Sequence, residues 1–289
     1  MPLDPATGQQ KFLDVQGSYA WSSGRSIFDF YMREWAGVDP ADGAPMWYQY
    51  WDDLNDNGLL DAGEPTSSAT SPWFIQNPND ANDTQNNNQT SSIVEYQKRV
   101  NNTNIKKQIT KTYTTASQVY VNKSSIPKLQ GAFRLAARVH DFDISAQFTY
   151  SMGGYAYDGQ YAELMSDRFG AAGNNYHTDI FNRWTQPGDI TNVPRLADAL
   201  DANAISTSTR FLTKTDFIAL NNLKVGYTLS NDIIAKAGMQ SVNIWMAGDN
   251  LFQSTARNGF LPTTSETGSS GRGLYAPMTT ITLGVRVKF

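Results

Sequence analysis

A chain of 289 residues with a net charge of −4 and a pI near 5.2 has room for one large or two small domains. It lacks the basic excess that gripping nucleic-acid phosphate requires. With no cysteine and only His140 and His177, disulfides and thiolate metal centres are excluded and imidazole clusters are close to excluded.

Aromatic residues make up 12% of the chain, charged residues 17%, and the mean hydropathy is −0.46. No run approaches the 18 or more apolar residues of a membrane-spanning helix. A membrane β-barrel escapes that test, because its strands alternate and average out in any hydropathy window. The opening MPLDPATGQQ has neither a basic n-region nor an apolar h-region, so no secretion signal is visible. The expectation is either a cytosolic protein or a piece of a longer one.

In chain order, Phe12 to Trp21 reads as a first, weak strand, followed by a long connection from about Gly24 to Ala44. Met46 to Trp51 is a second strand candidate. It runs directly into Asp53–Glu64, DLNDNGLLDAGE, with Pro65 next. This twelve-residue stretch matches the calcium-loop pattern D-x-[DN]-x-[DN]-G-x5-E, although strands rather than helices flank it. On that reading Asp53, Asn55 and Asn57 offer side-chain oxygens, Leu59 its main-chain carbonyl, Asp61 a direct or water-bridged contact, and Glu64 two oxygens. Gly58 takes a positive-φ turn and Leu60 points inward. The alternative is an ordinary turn, since Asp, Asn and Gly are the residues that turns use.

The segment QNPNDANDTQNNNQTSS is an amide-rich loop that cannot pack a core. Val119 to Asn122 is a further short strand. The clearest hairpin follows: Phe133, Leu135, Ala137 and Val139 alternate with Arg134, Ala136 and Arg138. After His140-Asp141, Phe142, Ile144, Ala146, Phe148, Tyr150 and Met152 alternate with Asp143, Ser145, Gln147, Thr149 and Ser151. A long connection runs from Gly153 to Ser208. Leu223, Val225, Tyr227 and Leu229 form the apolar face of another strand, and Val242, Ile244 and Met246 that of its partner. Between them SNDIIAKAGM reads as a short helical turn capped near Ser230 or Asn231 and ended by Gly238. The last strand, TITLGVRVKF, places Ile281, Leu283, Val285, Val287 and Phe289 on one face.

The tally is roughly eight strands in an all-β fold, with short turns at one end and long loops at the other. A soluble β-sandwich alternates in the same way. A transmembrane barrel also explains whole strand faces of Arg, Lys, Asp, Gln and Thr, and aromatic strand ends such as Tyr150, Tyr227 and Phe289. No phosphate-binding glycine loop, nucleophile elbow or zinc motif is present, so an enzyme is not expected.

Five phrases occur in succession: GRSIFDFYMREWAGVDPADGAPMWYQY, IPKLQGAFRLAARVHDFDISAQFTYSMGGYAYD, DIFNRWTQPGDITNVPRL, TDFIALNNLKVGYTLSNDIIAKAGMQSVNIWMAGDNLFQST and YAPMTTITLGVRVKF. In that order the chain resembles the carboxy-terminal part of SusC/RagA-type TonB-linked outer-membrane transporters. The resemblance implies an antiparallel transmembrane β-barrel of 22 strands with long extracellular loops. Residues 1–289 would form its carboxy-terminal part, with the plug domain and TonB box absent. It implies residence in the bacterial outer membrane and import of a nutrient, oligosaccharides first, with peptides, siderophores or cobalamin as rivals. The implied partners are a SusD-like lipoprotein, the TonB complex through the missing amino-terminal region, outer-membrane lipid, and the assembly machinery, which would read Phe289. An independent small barrel, a truncated product without transport, and a calcium-stiffened surface β-protein stay open. Ca2+ is the one cofactor expected, as a structural ion at residues 53–64.

Overall fold

The structure, a computed structural model, describes residues 13–67, 74–75, 89–90, 92–167, 175–197, 200–262, 269–270 and 277–289. Phe12 and most of the amide-rich segment lie outside the described residues. The chain divides into two compact units, Met1–Ser125 with Asp158–Leu212, and Ile126–Tyr157 with Thr213–Phe289. Among the described residues no helix is long and apolar enough to cross a membrane.

The first unit is built from short strands. They are β1 (Leu13–Gln16), β2 (Tyr19–Ser22), β3 (Asp29–Arg33), β4 (Trp35–Val38), β5 (Pro45–Asp52), β6 (Phe74–Ile75), β7 (Gln89–Thr90), β8 (Ile105–Thr110) and β9 (Gln118–Ser124). They pair in the orders β1-β2-β3-β9, β4-β5-β8 and β6-β7. Two short helices, α1 (Ile93–Arg99) and α2 (Gly159–Leu164), complete it. The single strand expected over Phe12 to Trp21 is instead the hairpin β1–β2. Gly17 sits in its turn at φ 62°, a conformation that suits a residue without a Cβ.

This unit buries a set of its aromatics. Tyr31 and Tyr120 meet edge to face at 5.0 Å, and Trp47 is bracketed in the same geometry by Trp35 at 5.6 Å and Tyr113 at 5.4 Å. The Tyr31 hydroxyl donates to Ser92 Oγ at 2.6 Å, and Ser92 in turn caps α1 by accepting from Glu95 N.

The second unit is different in kind. Its strands are β10 (Leu129–Val139), β11 (Phe142–Met152), β12 (Tyr155–Asp158), β13 (Leu212–Lys214), β14 (Phe217–Thr228), β15 (Ser241–Thr255), β16 (Ser269–Ser270) and β17 (Thr280–Lys288), with α3 (Asn231–Ile234) between β14 and β15. Five of them make one antiparallel sheet, β10-β11-β14-β15-β17, and β13-β12-β16 make a second, small one. The expected helical turn ends at Gly238, which takes the left-handed conformation at φ 68°.

Register decides what each face of the large sheet carries. Val139, Phe142, Tyr227, Ile244 and Val285 form one cross-strand row, and Ala137, Ile144, Val225, Met246 and Leu283 the next. Every position in these rows is apolar or aromatic. Phe133 stacks on Phe148 at 4.9 Å, and Phe142 leans on Tyr227 at 4.8 Å. The face is bare: Leu283 is 75% and Ile281 67% exposed. A contiguous apolar surface of this extent marks a membrane or a partner. The eleven residues of β11 extend about 36 Å at ~3.3 Å per residue. Tilted by ~40°, they rise about 28 Å, close to the ~25 Å apolar band of a membrane barrel.

The connections sort by end. Val139 and Phe142 are joined through His140-Asp141, with His140 at φ 54°, and the α3 turn links β14 to β15 at that same end. The longer connections from Met152 to Phe217 and from Thr255 to Thr280 lie at the other. The observed sheet is that of a transmembrane β-barrel wall, with β10 and β17 as its edges.

Candidate functional site

β5 ends at the buried Asp52, and the buried Asp53 follows it; the two set the base of the Asp53–Glu64 loop. Asp52 accepts from the Tyr96 hydroxyl and from Asn104 N, each at 2.6 Å. Burial, and next the hydrogen bond to Asp52, pushes the Tyr96 phenol above its ordinary range. The Asp52 amide donates to the Pro65 carbonyl at 2.9 Å, and Asp53 N to Asn104 O at 3.0 Å. Strand and proline thus close the loop where an EF-hand would use helices.

Inside the loop, Asp53 accepts from Asn57 N at 3.2 Å and from Gly58 N at 2.8 Å. Glu64 accepts from Leu54 N and Asp61 N, both at 2.9 Å, which ties the twelfth position back to the second and ninth. Gly58 has φ 75°, the positive-φ turn read from the pattern. Leu60 is partly buried, and Leu59 is exposed. Lys106 Nζ stands 3.9 Å from Asp53 and 3.5 Å from Asp56.

The third, fifth and ninth positions converge. Asn55 Nδ2 and Asn57 Nδ2 donate to Asp61 Oδ2 at 2.8 and 2.6 Å, and these bonds, Asn55 first, hold the Asp61 carboxyl below its ordinary range. The donor set is the hard-oxygen set that calcium takes. The orientation described is that of a hydrogen-bonded turn: the amide oxygens of Asn55 and Asn57 accept from Asn57 N and Leu59 N. A cation among these three side chains would require amide oxygens where the amide nitrogens now point. Among the described residues no three Asp, Glu or His side chains are grouped as a metal site.

The polar face of the large sheet is the second candidate. At the short-turn end a cleft of about 590 Å³ is lined by Arg134, Arg138, Asp143, Lys224, Asn243 and Arg286. Arg138 lies 3.7 Å from Asp143. Lys224 Nζ sits 4.7 Å over the ring of Trp245, whose polar-face register follows the sequence pattern. Gly284 lies directly under that ring. A Cβ there would come within 2.3 Å of it, so glycine is what lets the indole lie flat on the wall.

Nearer the long-loop end, β14 and β15 slip register between Leu220 and Asn222. The bulge sets Asn221 and Asn222 together on the polar face. Thr149 Oγ1 donates to Asn221 Oδ1 at 2.7 Å, and Asn222 Nδ2 to Asp249 Oδ1 at 2.7 Å. Period-two reading missed this site, although the Asn-Asn doublet that breaks the alternation in FIALNNLKV was its signal. His140 occupies a tight turn, and His177 Nδ1 accepts from Asp179 N at 3.1 Å.

No protein-family model matches the chain. Two TonB-dependent receptors of Formosa agariphila are similar to it in sequence. One is 28% identical over 173 residues and the other 27% over 168, covering 56% and 55% of this chain and 16% of each relative. The solved RagAB peptide importer in its closed-closed state superposes with a TM-score of 0.65 at 21% identity, covering 94% of this chain and 24% of that one. A second structure of the RagAB peptide transporter gives 0.64 at 20% identity, covering 98% and 25%. The likeness to SusC/RagA-type TonB-linked receptors read from the sequence is therefore shown, and with it a place in the bacterial outer membrane. The chain spans about a sixth of its curated relatives.

Proposed function

We propose that this chain, similar in sequence and fold to TonB-dependent receptors, is the closing part of the barrel wall of an outer-membrane importer. The observation that carries the reading is the large sheet, with one face mostly apolar and largely exposed and the other lined by Arg, Lys, Asp and Asn. That division of faces suits lipid outside and a watery passage inside. The relatives are receptors and transporters rather than enzymes, which supports a role in passage rather than catalysis.

In this reading a SusD-like lipoprotein caps the barrel and TonB acts on a plug supplied by the rest of the polypeptide. The cargo is an oligomeric nutrient, with oligosaccharide as the first assignment. Oligopeptide is the second, favoured by the fold likeness to an importer described as one for peptides. Uptake of fluorescent oligosaccharides and oligopeptides by cells carrying the full-length gene, with and without TonB, tests it. TonB-dependent uptake of one class is expected; uptake unchanged without TonB overturns the reading.

We also propose that Asp53, Asn55, Asn57, Leu59, Asp61 and Glu64 hold a structural calcium ion once the two amides turn their oxygens inward. Extracellular sites of this kind bind at about 10⁻⁴ to 10⁻³ M. Terbium luminescence sensitised by the aromatic residues near the loop, displaced by calcium and lost in Asp53→Asn, is expected. Signal unchanged by that substitution removes the ion from this loop.

A further inference from the structure

Charge is unevenly spread along the polar face of the large sheet. Towards the long-loop end Thr149, Asn221, Asn222 and Asp249 satisfy one another. At the short-turn end the cleft of about 590 Å³ is lined by Arg134, Arg138, Lys224 and Arg286, and by one carboxylate, Asp143. Asp143 stands 3.7 Å from Arg138. Lys224 lies over the Trp245 ring, and neither it nor Arg134 or Arg286 has a carboxylate partner among the described residues. Four cations less one carboxylate leave three positive charges unmatched, in a chain whose net charge is −4. Arg134, Arg138 and Arg286 are exposed and Lys224 is half-buried, so solvent reaches all four. Like charges gathered on one concave face repel one another and concentrate anions.

The spacing of these cations says what kind of anion they suit. Arg134 and Arg138 stand on β10, Lys224 on β14 and Arg286 on β17, in a sheet ordered β10-β11-β14-β15-β17. With strands ~4.8 Å apart, the cations cross about 19 Å, and Lys224 stands midway. A lone phosphate or carboxylate meets one of them. An extended chain with a carboxylate on successive units meets them in turn, and each arginine fork suits a carboxylate.

We propose that this cleft binds a polycarboxylate stretch of the transported oligomer, laid across the strands on Arg134, Lys224 and Arg286. This rests on the importer reading and adds a charge to its cargo. An acidic peptide and a uronic-acid oligosaccharide share the required chemistry, and only the source differs.

The full-length transporter, purified in detergent, is titrated with fluorescent oligoglutamate and oligogalacturonate, and with uncharged counterparts, a Gly-Ser peptide and a malto-oligosaccharide. Binding is read by anisotropy at low and at high salt. We expect one acidic probe to bind at least about tenfold more tightly than its uncharged counterpart at low salt, with the advantage shrinking as salt is added. In the double variant Arg134→Gln, Arg286→Gln the advantage should fall about five- to tenfold, and in Lys224→Gln by less. Preference for oligoglutamate identifies peptide, and preference for oligogalacturonate identifies saccharide. Uncharged probes bound as tightly as acidic ones overturn the subsite and leave the importer intact. So does an advantage undiminished in all variants; a lowered unfolding midpoint beside it would mean that an acidic part of the polypeptide itself covers the cations. Binding of no probe also overturns the subsite, and TonB-dependent uptake by cells then judges the importer reading separately.

Discussion

The two units use the same backbone geometry with opposite insides. In the first, Trp47, Tyr31 and Phe30 are almost completely buried, and short strands cross-link through side-chain hydrogen bonds such as Gln108 Nε2 to Gln49 Oε1. In the second, the large apolar side chains of β10, β11, β15 and β17 stand out from the sheet, and the polar side chains line the other face. Which side chains a sheet buries depends on the solvent each of its faces meets. The first unit hides these three aromatics from water by folding on itself. The large sheet has no second layer to do so among the described residues, and its apolar face is matched to lipid.

The largest effects are expected where one residue in each unit has its environment reversed. Trp47→Ala empties the centre of the Trp35–Trp47–Tyr113 group and is expected to cost about 3–5 kcal/mol. Limited proteolysis of the refolded full-length protein should then cut within residues 13–125 while the large sheet stays protected. Cuts spread evenly through both units would mean that the two are not separately stabilised.

Next in size is Leu283→Arg, which sets a charge near the middle of the bare face. It should destabilise the barrel in lipid vesicles by about 2–4 kcal/mol, read from guanidinium unfolding. Its neighbour Thr282→Arg, on the polar face, should change little. Equal costs for the two would remove the distinction between lipid and lumen. A smaller effect, about 1–3 kcal/mol by overpacking, is expected from Gly284→Ala, because the new methyl meets the Trp245 ring. A shift in Trp245 emission should accompany it, and an unchanged spectrum would mean the ring does not rest there.

The smallest expected effect is a pH dependence confined to the first unit. Asp189 accepts from the Thr185 hydroxyl, from Thr185 N and from Gln186 N, and these bonds hold its carboxyl below the ordinary range. A depressed folded value means that the contribution is complete above the ordinary carboxylate range, near 4, and fades as pH falls through the lower folded value. Protease protection of the 181–195 stretch should therefore drop on acidification in the unaltered protein. In Asp189→Asn it should be lower at neutral pH and less sensitive to acid.

Much of the large sheet is legible in the sequence because lipid on one side and water on the other enforce strict alternation. The hairpin register from Phe133 to Met152, the pairing of the 223–229 and 242–246 segments and the last strand all come from that rule. Legibility fails where the rule does. In β3, Phe30, Tyr31 and Met32 are all buried, so no period marks the strand. The helix α1 follows an amide-rich segment that drowns its signal, although Ser92 and Glu95 have the spacing of a capping box. The Asp53–Glu64 stretch shows a further gap. The pattern names the loop and its Gly58 turn, but not the clamp of Asp52 by Tyr96 and Asn104, residues more than forty positions away.

The first unit is assembled from two stretches of chain, Met1–Ser125 and Asp158–Leu212, and the hairpin β10–β11 lies between them. Contacts such as Trp35 N to Thr209 Oγ1, and Arg195 N to Gly43 O, join the two stretches. Parity makes this possible. Two antiparallel strands return the chain to the end it left, whereas one or three would leave it at the opposite end. Any gain or loss of strands between these two stretches must therefore come in pairs, or the first unit can no longer close.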